Sequence, residues 1–240
     1  MSELAERLER VQARLRSAVT SANRAADSVR LVAVSKFQPA SAIRDAYAAG
    51  QRDFGENYLQ ELEQKARELS DLPELRWHVI GHLQRNKARL AASLAAMVHT
   101  VHSVELAREL DKRAKDREHS PHFFDDDARL RALVEVNVGG EAQKSGCSPE
   151  ALPEILNELE RAESLILAGL MCVPPQTDDP NAARPFFDEL ARLRELHGGA
   201  ARLPELSMGM TSDLEPAVAA GATIVRVGTA IFGERPRATR

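Results

Sequence analysis

Residues 30–36 read RLVAVSK, an apolar run that predicts a buried β-strand and ends on a lysine. Seven further β-rich runs follow, separated by segments with helical periodicity. The eight predicted strands are Arg30–Lys36, Asp53–Asn57, Trp77–His82, Met97–Ser103, Arg131–Val138, Ile166–Val173, Glu205–Met210 and Thr223–Gly228. The helical segments between them are predicted at Ala40–Ala49, Tyr58–Leu69, Gln84–Ala96, Val104–Arg117, Pro149–Ala162, Asn181–Leu196 and Asp213–Ala220.

Strands that alternate with helices are typical of parallel βαβ units. Eight such units in 240 residues predict a closed (β/α)8 TIM barrel of the α/β class, formed by one domain over residues 1–240. Leu4, Leu8, Val11, Leu15 and Val19 recur at helical spacing, which adds an N-terminal helix before the barrel. An open doubly wound sheet is the alternative, but no GxGxxG follows the first strand.

The composition is that of an ordinary globular protein, with 43% hydrophobic and 28% charged residues and a net charge of −4. The mildly acidic charge argues against binding to nucleic acid or to an anionic membrane surface. The two cysteines, Cys147 and Cys172, cannot form a disulfide framework, which favours the reducing cytoplasm. The longest nearly apolar stretch, Leu90–Val98, is too short to span a bilayer. We therefore expect a cytoplasmic protein, and a monomer because no extra apolar face is evident.

Polar residues close many of the predicted strands, at the end of a barrel where active sites lie. Lys36 is the most informative of them, because the chain has only six lysines against 26 arginines and the other five lie in polar or helical segments. A lysine that loses its proton can form a Schiff base with an aldehyde, whereas an arginine cannot. The alternative is a lysine that extends from the strand end into water.

The last two strand ends resemble a phosphate site. Ser207–Asp213 reads SMGMTSD and Val225–Gly233 reads VRVGTAIFG. The loops after strands 7 and 8 are the usual phosphate-binding loops of barrels. Gly209 and Gly228 would let backbone amides approach an anion, and Ser207, Thr211 and Thr229 would add hydroxyl groups. Ordinary turn and cap chemistry is the alternative interpretation.

Closure of the barrel places strand 8 beside strand 1, and therefore places Lys36 beside Arg226 and the loop of Gly228 and Thr229. An amine next to a phosphate cradle suits pyridoxal 5′-phosphate (PLP), which carries an aldehyde and a phosphate. A Schiff-base aldolase acting on a sugar phosphate would use the same arrangement.

Four histidines lie on two predicted strands, but no cysteine or carboxylate cluster completes a ligand set, so we expect no metal site.

Eight motifs resemble the PLP homeostasis proteins, the single-domain relatives of the alanine racemase N-terminal barrel. They run in order along about 200 residues of the chain, and together they are specific. They are VAVSKFQP (32–39), FGENYLQE (54–61), WHVIGHLQRNK (77–87), VHSVE (101–105), VNVGGEAQKSG (136–146), GLMCVPP (169–175), LSMGMTSD (206–213) and VRVGTAIFG (225–233).

The resemblance implies a role for each matching residue. It implies a PLP aldimine on Lys36, and an arginine facing the pyridine nitrogen, here Arg226. It implies phosphate contacts from Ser207, Gly228 and Thr229, and we add Gly209, Met210 and Thr211 of the same SMGMT loop to the cofactor-binding set. Asn57 and His82 would line the pocket near the ring.

The resemblance also implies the function of a carrier. A guanidinium can only donate hydrogen bonds, so Arg226 would leave the ring nitrogen unprotonated and make the cofactor a weak electron sink. Racemases that resemble this barrel add a tyrosine base from a second domain, whereas this chain offers only Tyr47 and Tyr58. We therefore expect no catalytic residues, and a protein that holds PLP and passes it to PLP-dependent apo-enzymes. A single-domain racemase stays as an alternative, and so does a solvated role for Lys144, a second amine on the same face.

Overall fold

The eight strands form one closed parallel barrel in the computed structural model, in the order in which they occur along the chain. The structure describes residues 2–117, 124, 127–141, 143–177 and 179–233. The strands are β1 (Arg30–Val34), β2 (Asp53–Glu56), β3 (Arg76–Val79), β4 (Met97–Val101), β5 (Leu130–Glu135), β6 (Leu165–Met171), β7 (Glu205–Ser207) and β8 (Ile224–Val227). This closure confirms the predicted (β/α)8 barrel.

Helices surround the barrel, and one precedes it. They are α1 (Glu3–Ser21), α2 (Ala40–Ala48), α3 (Leu59–Glu68), α4 (Ala88–Leu94), α5 (Val104–Ala114), α6 (Leu152–Arg161), α7 (Arg184–Leu196), α8 (Gly199–Arg202), α9 (Leu214–Ala219) and α10 (Thr229–Phe232), with 3₁₀ turns at Arg85–Lys87 and Pro180–Ala183. The N-terminal helix is confirmed as α1. Its buried face consists of Leu8, Val11, Leu15, Ala18 and Val19.

The strands end earlier than their apolar patterns predict. β1 stops at Val34, so that Ser35 is still bonded to β2 through its amide but Lys36 lies in a turn. At β4 the strand stops at Val101 and Ser103 caps α5 by accepting a hydrogen bond from the amide of Leu106. The chain must turn at the barrel mouth to enter each helix, and this turn begins before the polar residue that closes each run.

The barrel has two apolar layers. A large outer cluster packs the helices against the sheet, and a small cluster inside the barrel consists of Val32, Met97, Leu133, Ala168, Met171 and Ile224. The predicted polar segment 118–127 lies outside the described residues except for Phe124 and Asp127. Phe124 packs against the inner cluster, and its ring lies 4.6 to 5.3 Å from the guanidinium carbons of Arg30, Arg76 and Arg131.

Helix α1 packs on the two helices that follow β7 and β8. Arg14 of α1 forms an ion pair with Glu215 of α9 and donates a hydrogen bond from Nη1 to the carbonyl oxygen of Thr211 at 2.6 Å. Arg7 lies against Gly233 at the end of α10. The additional helix therefore supports the loops in which the sequence predicts a phosphate site.

Candidate functional site

The carboxyl ends of β8 and β1 lie side by side and bring the last motif of the chain to the lysine that follows β1. Arg226 pairs with Val32 in the register of these strands. Gly228 packs so closely on β1 that a Cβ there would lie 3.1 Å from the carbonyl oxygen of Val34. Lys36, half-buried and just beyond the end of β1, sits at the same seam.

A buried polar cluster supports the turn that carries Lys36. Lys65 of α3 donates from Nζ to the carbonyl oxygen of Ser35 at 2.7 Å, to Glu56 Oε1 at 2.7 Å and to Glu61 Oε1 at 2.6 Å. Ser35 Oγ donates to the same oxygen of Glu56 at 2.7 Å. Burial raises the pKa of the Glu56 carboxyl, and the Lys65 cation opposes this rise. The cluster fixes the backbone directly before Lys36.

The residue after Lys36 is fixed as well. Phe37 has a left-handed φ of 64°, a conformation that is unfavourable for a residue with a side chain. Its amide donates a hydrogen bond to Glu61 Oε1, and its ring packs on that of Tyr58 with centroids 5.5 Å apart. These contacts compensate the backbone strain and hold the turn around Lys36 in one conformation.

Sequence reasoning missed Lys65, which it grouped with the lysines of polar helical segments. Only 5% of this residue is exposed. The signal lies in the spacing of Glu61 and Lys65, which are four residues apart and share a helix face with the buried Leu62. A lysine on the apolar face of a helix needs a buried partner, and that requirement could have identified the cluster.

Arg226 lies in the barrel interior, and 4% of it is exposed. Its Nη1 donates to Ser207 Oγ at 2.7 Å, and its Nη2 donates to the carbonyl oxygen of Cys172 at 2.9 Å. Its backbone amide donates to the carbonyl oxygen of Gly209 at 2.9 Å. Burial lowers the pKa of the guanidinium, but the group still offers donors only. Strand β8 thus presents a fixed cationic donor at the mouth end of the barrel.

The hydroxyl of Ser207 lies inside the barrel. Besides Arg226, it contacts Nδ1 of His99 at 2.8 Å. His99 Nε2 lies 2.9 Å from Nδ1 of His78, and His78 Nε2 lies 3.0 Å from Asp53 Oδ1. These side chains come from β7, β4, β3 and β2. The contact between the Ser207 hydroxyl and a phosphate stays a prediction, since this hydroxyl has two other partners in the structure.

The loop after β7 is held from both sides. Gly209 adopts a left-handed φ of 91°, and a Cβ there would lie 2.5 Å from the Cβ of Ala217. The amide of Met210 donates to Asp213 Oδ1 at 2.6 Å. The carbonyl oxygen of Thr211 accepts from Arg14, so the loop keeps one shape.

The loop after β8 leads directly into α10. Thr229 is the first residue of this short helix and is exposed, and Gly228 precedes it. The first amides of a helix have no partner within the helix. The amides of Thr229 and Ala230, together with the Thr229 hydroxyl, therefore supply donors at the end of the mouth next to Lys36.

Asn57 directly follows β2 and His82 follows β3 by three residues, so both lie at the carboxyl ends of the strands that come after β1 in the barrel. Gly81 packs on Asn57 so tightly that a Cβ would lie 2.4 Å from its carbonyl oxygen. His82 is exposed, stacks on His102 with centroids 4.7 Å apart, and lies with Nδ1 3.3 Å from Ser145 Oγ. A cavity of about 410 Å³ opens between them, lined by Asn57, Tyr58, Leu59, Gln60, Val79, Gly81, His82, Leu83, Gln84 and Lys87.

Sequence reasoning also missed Glu135, an acidic residue at the end of the apolar strand β5. It is 6% exposed, and its Oε2 is buried without a hydrogen-bond partner. Burial raises the pKa of this carboxyl to about 7, although the cation of Arg226 opposes the rise. A single carboxylate at the end of the run LRALVE was the available signal. The group can exchange a proton near neutral pH.

The remaining chemistry-bearing residues do not add to the site. Cys172 and Cys147 are free and buried, and burial raises the pKa of each thiol to about 12, so neither is a ready nucleophile. Lys144 is tied to Glu141 and to the carbonyl oxygen of Pro174. In the described part of the chain, no group of three or more His, Cys, Asp or Glu side chains is placed to hold a metal. No helix in that part is long and apolar enough to cross a membrane.

Sequence comparison relates almost the whole chain to known proteins. The family model described as "Alanine racemase, N-terminal domain" matches residues 7–236. The pyridoxal phosphate homeostasis protein of Pseudomonas aeruginosa is 46% identical over 236 residues, which cover 98% of this chain and 97% of that protein. The protein of the same name from Aquifex aeolicus is 39% identical, over 96% of this chain and 97% of that protein.

Solved structures agree with this relationship. PipY of Synechococcus elongatus with PLP bound is 38% identical, with a TM-score of 0.78 over 96% of this chain and 100% of that chain. Alanine racemase of Corynebacterium glutamicum is 17% identical, with a TM-score of 0.65 over 97% of this chain and 63% of that chain. The second similarity concerns the fold alone.

Proposed function

Because the chain belongs to the family of pyridoxal phosphate homeostasis proteins, whose barrel is the alanine racemase N-terminal domain, we propose that it holds PLP on Lys36 and takes part in PLP homeostasis. In this proposal the amine of Lys36 attacks the aldehyde carbon, a C=N bond forms and water leaves. Hydrolysis or exchange with another amine reverses the bond and releases the cofactor. The PLP in the PipY structure supports the choice of ligand.

The residues at the mouth fit the parts of PLP. Lys36 supplies the amine, and Arg226 supplies a donor for the pyridine nitrogen. The loops after β7 and β8 supply amides and hydroxyls for the phosphate, from Gly209, Thr211, Gly228 and Thr229. The Ser207 hydroxyl and the Met210 amide of the same predicted set have partners within the protein, namely Arg226 and His99 for the hydroxyl and Asp213 for the amide. Asn57 and His82 line the ring from the other edge. PLP supplies an electrophilic aldehyde, and the protein supplies its position and its electrostatic surroundings.

The observation that carries the proposal is the seam between β1 and β8. Gly228 touches the backbone of Val34, and Arg226 pairs with Val32, so one seam brings together the amine, the cation and the phosphate loop. An aldolase would need the same amine, but it would have no use for a buried guanidinium that presents hydrogen-bond donors to a ring nitrogen.

The site supports a carrier rather than a racemase. Racemisation needs proton acceptors on two faces of the substrate, and it gains from a protonated ring nitrogen, which a donor-only arginine does not favour. Tyr47 lies under Arg52, whose guanidinium carbon is 4.0 Å from its ring centroid. Tyr58 packs on Phe37, on the same side of the mouth as Lys36. Both tyrosine rings therefore have packing partners within the protein, which supports a site without a tyrosine base.

The proposal extends to the context of the protein. We propose that the chain acts as one domain and as a cytoplasmic monomer, with no catalytic residues, and that PLP-dependent apo-enzymes receive its cofactor. Free PLP is a reactive aldehyde, so a protein that stores it as a reversible Schiff base limits the modification of other amines.

The test is the visible spectrum of the protein loaded with PLP, followed by borohydride reduction and peptide mapping. We expect a visible band that is absent in Lys36→Ala and a reduced adduct on the peptide that contains Lys36. Lys112→Ala, at an exposed position of α5, is the matched control and should keep the band. A protein that takes up no PLP, or an adduct on another lysine, would overturn the proposal.

Turnover separates the carrier from the racemase. We expect L-alanine incubated with the loaded protein in D₂O to keep its configuration and its α-hydrogen over hours. Exchange of that hydrogen at a steady catalytic rate would contradict the non-catalytic part of the proposal while leaving PLP binding intact.

A further inference from the structure

A line of buried hydrogen bonds runs from Arg226 through the inside of the barrel to the opposite end. Beyond Arg226 the line consists of Ser207, His99, His78 and Asp53, and we call these four residues the interior chain. Successive polar atoms lie 2.7, 2.8, 2.9 and 3.0 Å apart. The link between Ser207 and His99 joins β7 to β4, the other links join neighbouring strands, and all the members are at least nine-tenths buried.

The two ends of the line fix its chemistry. Arg226 can only donate hydrogen bonds. Asp53 accepts from Arg76 Nε at 2.9 Å and from Arg76 Nη2 at 2.8 Å. Burial raises the pKa of the Asp53 carboxyl, but the hydrogen bonds from Arg76 and His78 outweigh it and hold this pKa well below its usual range. Asp53 is therefore an ionised group that only accepts.

We expect the two imidazoles between these ends to be neutral at pH 7. Burial lowers the pKa of His78 and of His99, although the carboxylate of Asp53 opposes the change. A neutral imidazole has one N–H donor and one acceptor nitrogen. Since Asp53 can only accept, His78 must carry its proton on Nε2 and must accept on Nδ1. His99 must then donate from Nε2 and accept on Nδ1.

This sequence of donors and acceptors determines the state of Ser207. Its hydroxyl proton must point to His99 Nδ1, which leaves the oxygen lone pairs facing Arg226. Every bond of the line therefore donates in the same direction, from Arg226 towards Asp53. Arg226 therefore donates to a hydroxyl oxygen whose proton is fixed on the side of His99. Together with the hydrogen bond to the carbonyl oxygen of Cys172, this contact holds two N–H groups of the guanidinium.

The interior of a (β/α)8 barrel is normally apolar, because branched aliphatic side chains form its central layers. Here polar groups that gain nothing from burial share the barrel interior with the apolar cluster that contains Val32, Met97 and Leu133. Such a network is favourable only when each member has its partner. The interior chain satisfies both ring nitrogens of each histidine, which is the condition for a single fixed arrangement.

We propose that the interior chain is a positioning device for Arg226: Asp53, His78 and His99 orient the Ser207 hydroxyl so that Arg226 is held as a hydrogen-bond donor for a ligand in the barrel mouth. This inference rests on the proposed function in one respect, namely that the ligand is PLP and that Arg226 faces its ring nitrogen. The three residues act through Ser207 and Arg226 and touch no ligand themselves.

The direction of the hydrogen bonds in the interior chain is tested on the protein without cofactor. Long-range ¹H–¹⁵N NMR of the ring nitrogens reports which nitrogen of each histidine carries the proton. We expect His78 and His99 both to be protonated on Nε2 alone between pH 6 and pH 8. A proton on Nδ1 of either residue, or an imidazolium in this range, would overturn the proposal whether or not PLP binds.

The positioning role is tested with two substitutions of one residue. His99→Leu removes both hydrogen bonds, whereas His99→Gln offers a donor and an acceptor at similar spacing and should restore them. His197→Leu, at the end of α7 and far from the mouth, is the matched control. We expect His99→Leu to weaken PLP binding by about tenfold, because the Ser207 proton loses its acceptor and Arg226 loses its fixed partner.

The spectrum of bound PLP provides a readout that a loss of stability alone would not change. If Arg226 is no longer held as a donor, the ring nitrogen acquires a proton more readily and withdraws electrons from the Schiff-base nitrogen. We therefore expect that, as the pH rises, the visible band of His99→Leu disappears at a lower pH than the band of the unmodified protein. The band of His99→Gln should disappear at a pH closer to that of the unmodified protein. A folded His99→Leu protein with unchanged affinity and unchanged band would overturn the positioning role. If the unmodified protein binds no PLP, the proposed function fails. The NMR result alone then decides whether the hydrogen bonds of the interior chain have the inferred direction.

Discussion

The ammonium group of Lys65 donates a hydrogen bond to the carbonyl oxygen of Ser35 at 2.7 Å, directly behind the backbone of Lys36. The chain thus places a second, buried lysine beneath the lysine that is proposed to bind the cofactor. The two have different surroundings, because Lys65 contacts Glu56 and Glu61, whereas Lys36 lies in the turn at the mouth. Lys65 acts as an internal support whose charge is compensated by carboxylates.

Substitution of Lys65 by methionine is expected to destabilise the protein and to weaken PLP binding. The change leaves Glu56 buried without its cation, and the loss of one partner of a buried ion pair typically costs about 3–5 kcal/mol. Urea unfolding measures the loss, and a PLP titration measures the affinity. The double variant Lys65→Met, Glu56→Gln should recover part of the stability, since no charge is then left alone. Lys112→Met on the exposed face of α5 should change neither quantity, and equal losses in both single variants would contradict the argument.

Arg14 links the N-terminal helix to the loop that is proposed to bind phosphate. Its guanidinium holds Glu215 and the carbonyl oxygen of Thr211. We expect Arg14→Met to weaken PLP binding several-fold, because the Thr211 loop loses its outer support. The free energy of unfolding should fall by less than about 1 kcal/mol, since the ion pair is partly exposed. Arg10→Met on the exposed face of α1 serves as the control. An unchanged PLP dissociation constant in Arg14→Met would show that the loop keeps its shape without this contact.

Gly81 determines the position of Asn57. A Cβ at Gly81 would lie 2.4 Å from the carbonyl oxygen and 2.7 Å from the Cα of Asn57, so the backbone of one segment must move. We expect Gly81→Ala to lower stability by about 1–3 kcal/mol, the usual cost of overpacking, and to reduce PLP affinity. Gly221→Ala is the contrasting variant: its φ of 101° strains the backbone, but no atom lies within 4 Å of the added Cβ, so it lowers stability without overpacking and should leave PLP affinity unchanged. A Gly81→Ala protein with normal affinity would indicate that Asn57 is not part of the pocket.

The sequence was sufficient to predict the barrel and the seam at its closure. Alternating strands and helices imply parallel closure, and closure brings the end of β1, which Lys36 follows, beside Arg226 and Gly228. The interior chain could not be predicted in this way. Its links join residues 25, 21 and 108 positions apart, and the direction of the bonds depends on which side chains meet inside the barrel. Lys65 and Glu135 were missed for a related reason, since their burial depends on how α3 and β5 pack and not on their local sequence.

Glu135 gives a prediction about pH. Burial raises the pKa of its carboxyl from the ordinary value of 4.5 to about 7, so the native state holds this proton more tightly than the unfolded chain does. The neutral carboxyl therefore stabilises the protein below about pH 4.5, and this contribution is lost as the pH rises through about 7. A shift of this size corresponds to at most about 3 kcal/mol.

The variant Glu135→Gln keeps the shape of the protonated acid and removes its titration. We expect the variant and the unmodified protein to have similar free energies of unfolding near pH 4.5. Between pH 5 and pH 8 the variant should become progressively more stable than the unmodified protein, by up to about 3 kcal/mol. Urea unfolding without PLP at four pH values in this range measures the difference. Glu154→Gln, at an exposed position of α6, should follow the unmodified protein throughout. If the stability difference between Glu135→Gln and the unmodified protein is the same at pH 5 and pH 8, the carboxyl does not titrate near 7 and the prediction is wrong.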